Sequence, residues 1–400
     1  MKADFFIHNR RRLGQKLQGG LVVMAAHELM QRSNDLTYQF EQESNFWYLC
    51  GIDAPRWSLV YDGIRDHTWL IMPSVSEVER AFDGELSAEH AIRTSGADEV
   101  IAADELPALL RQLRRTHASV YSLPPPKRSK YMPMAFNPAI AAMHRMLERN
   151  FVTVHDCTLE LGVLQAIKQP EELKMLSSSV RTTIDAFSVA YKKLQACHYE
   201  YEIQAEFDYV FSRRGARHGY DPIVASGRNA CTLHYNTNNA RLRSQRLVMI
   251  DIGARHGHYS ADITRTYAYG EPTARQRTVY QALRDAQSDI IDLLEPGLPI
   301  REYAQAVDQR MAQALRSLGL SAADDTTLVR TYMPHAVSHG LGVDLHSRLG
   351  VMNAFEPGMV LTVEPGIYIP RESFGARIED DIVITPRGSR NLSRELSTDL

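Results

Sequence analysis

The sequence predicts an α/β (α+β) protein of two domains: an N-terminal α/β domain over residues 1–157 and a larger C-terminal domain over 158–400. Three observations carry this reading. A chain of 400 residues exceeds what one compact core usually holds. Its first third alternates short apolar segments, among them Leu21-Val22-Val23-Met24 and Trp69-Leu70-Ile71-Met72, with helical stretches. After His155-Asp156 the pattern changes to long amphipathic helices separated by strands.

Within the first domain, Pro124-Pro125-Pro126 makes a stiff loop and Phe151-Val152-Thr153-Val154 reads as the last strand. The next helix begins near Pro170, where a missing amide donor does no harm. Glu171 and Glu172 occupy its first turn, and Leu173, Leu176, Val180, Ile184, Phe187, Tyr191 and Leu194 form an apolar face expected to pack on a sheet. Two further helices start near Pro272 and Pro299, the second ending at Gly319. Between the helices, strands are expected over 247–252, 259–267, 359–363 and 376–384. There is no short-period repeat and no low-complexity tract.

A net charge of -3 gives no footprint of the kind a nucleic-acid binder or membrane-surface protein carries. The first residues, Met1 to Phe6, lack the apolar run of a signal peptide, and no stretch reaches the length of a membrane span, so the expected location is cytoplasmic. Cys50, Cys157, Cys197 and Cys231 form no CxxC pair and read as small buried hydrophobes.

The chemistry lies in carboxylates placed within apolar strands, where a lone charge is expensive unless paired or bound to metal. Asp251 follows Leu247-Val248-Met249-Ile250, and Asp262 lies in Tyr259-Ser260-Ala261-Asp262-Ile263-Thr264. Glu364 closes Met359-Val360-Leu361-Thr362-Val363, and Glu379 sits in Arg377-Ile378-Glu379-Asp380-Asp381. Any one of these alone reads as an ion pair. Together with the histidines of the segment 335–346, they make a metal site the simpler account.

The ordered series Asp251, Asp262, His339, Glu364, Glu379 resembles the metal-ligand set of the pita-bread peptidases, which include methionine aminopeptidases, aminopeptidases P and prolidases. The resemblance covers the chain from about 165 onward and implies a pita-bread catalytic domain holding two divalent ions. Manganese is the expected metal, with cobalt or zinc compatible with the donor set. It further implies that Asp251 and Glu379 bridge the ions, that Asp262 and Glu364 complete their shells, and that His339 binds one of them. The nucleophile would be a hydroxide bridging the two ions, with Glu364 as proton shuttle.

The segment 220–235 is similar to the stretch that delivers a substrate-binding histidine in aminopeptidases P and prolidases, which makes His234 that candidate. His335 and His346, flanking His339, match two further histidines able to stabilise developing charge. Arg377 resembles an arginine that orients ligand carboxylates, and Tyr368, after Glu364-Pro365-Gly366, a tyrosine near the metals. The expected catalytic set is therefore His234, His335, His346, Glu364 and Arg377, with Tyr220, His234, His335, His346 and Tyr368 as substrate contacts. In the first domain, the segment 42–51 is similar to an Xaa-Pro peptidase N-domain run, in which Phe46, Trp47 and Tyr48 would serve the active-site mouth, oligomer contacts or the core.

The resemblance implies cleavage of the bond between an N-terminal residue and a following proline, in peptides with proline at the second position, by a homodimer or higher homo-oligomer. An aminopeptidase acting on longer peptides is the preferred reading and a dipeptidase the alternative. Creatinase-like hydrolysis and a metal-free binding module are remote rivals. The segments 347–363 and 369–376 look shorter than in typical aminopeptidases P, which would either open the site to longer peptides or bring Arg348 or Arg371 over a dipeptide carboxylate.

Overall fold

The computed structural model describes residues 1–128 and 133–400. The chain divides into two compact units, Met1–Leu164 and Gln165–Leu400. The division falls within the helix Thr158–Ala166, a little beyond the boundary expected at 157.

The first unit is built on a mixed six-stranded sheet in the order Glu99–Ala102, His67–Met72, Ser58–Asp62, Leu21–Ala25, Ser119–Ser122, Thr153–Asp156. Its central strands are buried on both faces, which is why they read as uninterrupted apolar runs. Phe46, Trp47 and Tyr48 lie on the helix Ser44–Cys50, which Glu43 caps by accepting from the Phe46 amide at 2.6 Å. All three side chains are buried, and Phe5 and Phe6 meet Tyr48 and Trp47 edge to face. Of the three roles open to these aromatics, the core is the one they fill in this unit.

Among the described residues of the second unit are three antiparallel three-stranded sheets, one of them the small sheet of Arg217–His218, Ala254–His256 and Tyr259–Ser260, and the other two each carry their own helices. The first consists of Ile223–Ser226, Arg246–Asp251 and Thr264–Tyr269, and it packs against the helices Pro170–Lys193 and Glu200–Arg213 through Val180, Phe187, Phe207, Val248 and Ile250. The second consists of Val360–Val363, Asp380–Thr385 and Gly388–Asn391. With the hairpin Gly366–Ile369/Phe374–Arg377, it packs against the helices Ala274–Asp292, Ile300–Ser317 and Asp325–Tyr332.

Two of the expected long strands are broken. The run 259–267 resolves into Tyr259–Ser260 and Thr264–Tyr269, and the run 376–384 into Phe374–Arg377 and Asp380–Thr385. Asp262 and Glu379 sit in the gaps. There the backbone changes partner: the Asp262 amide donates to Asp381 Oδ2 at 3.1 Å, and the Glu379 amide donates to the Thr264 carbonyl at 3.0 Å. Gly253 permits the first gap, because a Cβ at that position would lie 1.8 Å from the Ala261 carbonyl oxygen.

The helix Pro170–Lys193 also departs from its expected face. Tyr191 is exposed, whereas Ser179, Thr182 and Thr183 are buried. Their hydroxyls serve the short hairpin Ala254–His256/Tyr259–Ser260: Ser179 Oγ donates to the Tyr259 carbonyl at 2.8 Å, and Thr183 Oγ1 accepts from the Ala254 amide at 2.8 Å.

Candidate metal centre and active site

Each candidate carboxylate lies at or just beyond a strand end, and His339 lies on a segment paired to a strand. Asp251 closes the strand Arg246–Asp251, opposite Ile223 and Thr264 in the ladder. Glu364 follows Val360–Val363, and the segment 337–341 runs beside that strand: Thr362 donates its amide to the His339 carbonyl at 3.0 Å, and Glu364 donates to the Val337 carbonyl at 2.8 Å. This pairing sets His339 beside Glu364.

The donors converge. Asp251, Asp262 and Glu379 each offer an oxygen within 4.8 Å of the others, as do the donor atoms of His339, Glu364 and Glu379, and those of Asp262, His339 and His346. His339 Nε2 lies 3.3 Å from Asp262 Oδ2 and 3.4 Å from Glu364 Oε1. Asp262, His339 and Glu379 each belong to two of these groups, while Asp251, Glu364 and His346 belong to one, and Asp251 is also engaged by Tyr220 at 2.6 Å and by the Arg377 guanidinium. Asp251 and Glu379, the pair expected from the resemblance to be shared, lie together in one of these groups.

Crowding leaves its mark on protonation. Burial, with the neighbouring carboxylates, raises Glu379 well above the usual carboxylate range. Burial also raises Asp251, against the opposing charge of Arg377, and lifts Glu364 to about 7. Burial would lower His339, but the hydrogen bond and charge of Asp262 and the charge of Glu364 outweigh it and raise the imidazole to about 9. Carboxylates that repel one another in a buried space, with one imidazole among them, suit divalent cations: the oxygen-rich donor set is right for them, and their charge would relieve the repulsion.

Behind these residues runs a hydrogen-bonded support. Arg377 donates to Tyr368 Oη at 2.8 Å and to Thr264 Oγ1 at 3.1 Å; Thr264 donates in turn to Glu379 Oε2 at 2.6 Å. Tyr368 Oη lies 2.9 Å from His335 Nε2, and His335 Nδ1 lies 2.8 Å from the Ala336 carbonyl. Burial and the Arg377 charge lower His335 to about 4, so near neutral pH it is uncharged, with Nδ1–H donating to Ala336 and Nε2 accepting from Tyr368. Thr362 Oγ1 accepts from the His339 amide and donates to Glu364 Oε1 at 3.3 Å. Sequence reasoning missed Thr264 and Thr362, because threonine in a strand carries no signal beyond its β preference.

A cavity of about 390 Å³ opens over this centre. Tyr220, His234, His335, His346 and Arg377 line it with the five candidate donors, whereas Tyr368 stands behind, reaching His335 through its hydroxyl. His346 is exposed, its ring 4.5 Å from that of His339 and nearly perpendicular to it. Leu233, Leu345 and Ile223 add an apolar part, and Asp221 and Asn236, which the sequence did not single out, complete the lining. Among the described residues, Arg377 is the cavity's one lysine or arginine; Arg348 and Arg371 do not line it.

Comparison with known proteins gives the family. Residues 174–386 match metallopeptidase family M24, which makes the second unit a metallopeptidase domain, and residues 6–121 match the aminopeptidase P N-terminal domain. The Xaa-Pro aminopeptidase of Escherichia coli (strain K12) is 32% identical, over 97% of this chain and 94% of that protein. Xaa-Pro aminopeptidase 3 of Mus musculus is 31% identical, over 91% of this chain and 76% of that protein. The solved structure of E. coli aminopeptidase P with the inhibitor Pro-Leu superposes with a TM-score of 0.87 at 30% identity, covering 100% of this chain and 96% of the other. The chain belongs to metallopeptidase family M24, in its aminopeptidase P branch, with an N-terminal α/β domain followed by a pita-bread domain.

Proposed function

We propose that this metal-dependent Xaa-Pro peptidase acts as an aminopeptidase, hydrolysing the bond between the N-terminal residue and a following proline in peptides of three or more residues. The observation that carries the preference over a dipeptidase is the cavity lining. A dipeptide presents its carboxylate close to the scissile bond, and the cavity's one lysine or arginine among the described residues, Arg377, is already committed to Asp251, Tyr368 and Thr264.

Asp251, Asp262, His339, Glu364 and Glu379 would hold two divalent ions; manganese is the expected metal, cobalt or zinc the alternatives. When bound, such a pair supplies a nucleophilic water at neutral pH and Lewis-acid polarisation of the carbonyl. The chain's own groups would do the rest. Glu364, poised near neutral pH and oriented by Thr362, suits the transfer of a proton to the proline nitrogen, which must be protonated to leave. Neutral His335 is held in one tautomer by Ala336 and Tyr368, while His234 and His346 at the exposed side of the cavity would hydrogen-bond the substrate carbonyl. Tyr220 and Arg377 would keep Asp251 ionised and in place.

The test compares cleavage of Ala-Pro-Ala with that of Ala-Pro, each with added manganese and after chelation. Metal-dependent preference for the tripeptide is expected. Preference for the dipeptide would establish the alternative, and no metal-dependent turnover of either would overturn the peptidase assignment. Light scattering would check the homodimer that the family resemblance implies. Among the described residues, no helix is long and apolar enough to cross a membrane.

A further inference from the structure

His234 lies on an arm, residues 227–240, that begins with the short turn Gly227–Cys231 and otherwise joins no strand. The side chain is exposed, and no hydrogen bond holds its ring among the described residues. Its direction is therefore set by the backbone that carries it.

That backbone is gathered by one buried side chain. Glu200, the first residue of the helix Glu200–Arg213, is wholly shielded from solvent, and its carboxylate takes five donors. Oε1 accepts from the Ser226 amide and hydroxyl, both at 2.7 Å, and from Asn229 Nδ2 at 3.1 Å. Oε2 accepts from the Tyr235 hydroxyl at 2.7 Å and the Ala240 amide at 2.9 Å. The donors thus come from both ends of the arm and from the residue next to His234. No lysine or arginine pairs with Glu200 among the described residues. A buried carboxylate satisfied only by neutral donors is costly, but charge-assisted bonds to five points of one segment fix its geometry tightly. Asn238 secures the returning side: its Oδ1 accepts from the Val224 amide at 2.9 Å, and its Nδ2 donates to the Pro222 carbonyl at 2.8 Å and to Gln204 Oε1 at 3.0 Å.

We infer that Glu200 is a positioning residue for the peptidase reaction: it clamps the arm so that His234 is presented at the cavity, without itself touching substrate. The inference rests on the role given to His234 under Proposed function.

A double-mutant cycle tests it. Glu200→Gln replaces one acceptor oxygen with an amide nitrogen that cannot accept, stranding donors. Tyr235→Phe deletes a single donor from a partly exposed position and serves if the first variant fails to fold. With metal content unchanged, Glu200→Gln is expected to lower kcat/KM for Ala-Pro-Ala on the order of 10- to 100-fold, the size of a lost hydrogen bond to a buried charge, and Tyr235→Phe roughly tenfold or less. In a His234→Ala background both substitutions should cost little, because the group they position is gone. Equal losses in both backgrounds, or wild-type kcat/KM in the single variants, would overturn the inference while leaving His234 in its role. Full kcat/KM in His234→Ala alone would refute that role, and the positioning of Glu200 with it.

Discussion

Asp262 is fixed from two sides, its carboxylate 3.3 Å from His339 and its amide on the buried carboxylate of Asp381. Removing its side chain takes away a donor without opening a large apolar cavity. Asp262→Ala is therefore expected to abolish turnover and lower the bound metal, with the circular dichroism spectrum of the native fold; Glu364→Ala should abolish turnover likewise. Wild-type activity in either variant would rule out the proposed centre. His346→Ala should reduce kcat roughly 10²–10³-fold, the cost of losing a group that stabilises developing charge, while metal content by atomic emission stays at the wild-type level. An equal fall in metal would make His346 a ligand instead, a role its place beside Asp262 and His339 allows. Asp262 and Glu364 stand out in the sequence because carboxylates inside apolar runs are anomalous, whereas His346 is singled out only by the family resemblance. Glu200 was not, since a glutamate in the first turn of a helix is what the helix dipole favours anyway.

At the scale of elements, helix beginnings were easiest to read. Pro170 opens the helix Pro170–Lys193, and the proline near 272 is followed by a capping box of Thr273 and Gln276. Strand breaks were not legible, because apolar alternation continues through Ile263 and Ile378 although the ladder stops. The breaks are where the site is made, so they should respond to backbone changes that touch no donor. Gly253→Ala places a methyl against the Ala261 carbonyl and must push the Asp262 segment aside. The expected result, by calorimetric titration, is metal binding weakened at least tenfold with every donor still present. Unchanged affinity would mean the gap adjusts freely.

For the whole molecule, the crowded centre links stability to pH. Without metal, folded Glu364 keeps its proton to about 7, whereas the unfolded chain releases it near the ordinary value of 4.5. In that window the folded state binds more protons, so stability falls as pH rises. The raised Asp251 and Glu379 act in the same direction, and His339, held protonated to about 9, extends the loss above 6.5. Cations replace these protons, so the gap in Tm between manganese-loaded and chelated protein should widen from pH 5 to pH 8. At a hundredfold excess over Kd, each site should contribute about 2.7 kcal/mol. His335, lowered to about 4, pulls the other way in both forms and drops out of the gap. A gap independent of pH would show that the carboxylates are already ionised in the apo protein.

The candidate donors are spread from Asp251 to Glu379, and the two broken strands that carry Asp262 and Glu379 exchange a backbone bond across 115 positions of sequence, from Glu379 to Thr264. Contacts so distant in sequence form late, because the loop they close must be paid for first. A growing polypeptide would therefore lack a complete donor set until residue 379 has emerged and the second sheet has met the first. Cutting power would arrive only with a nearly finished domain, and half-made chains would pose no hazard to their neighbours.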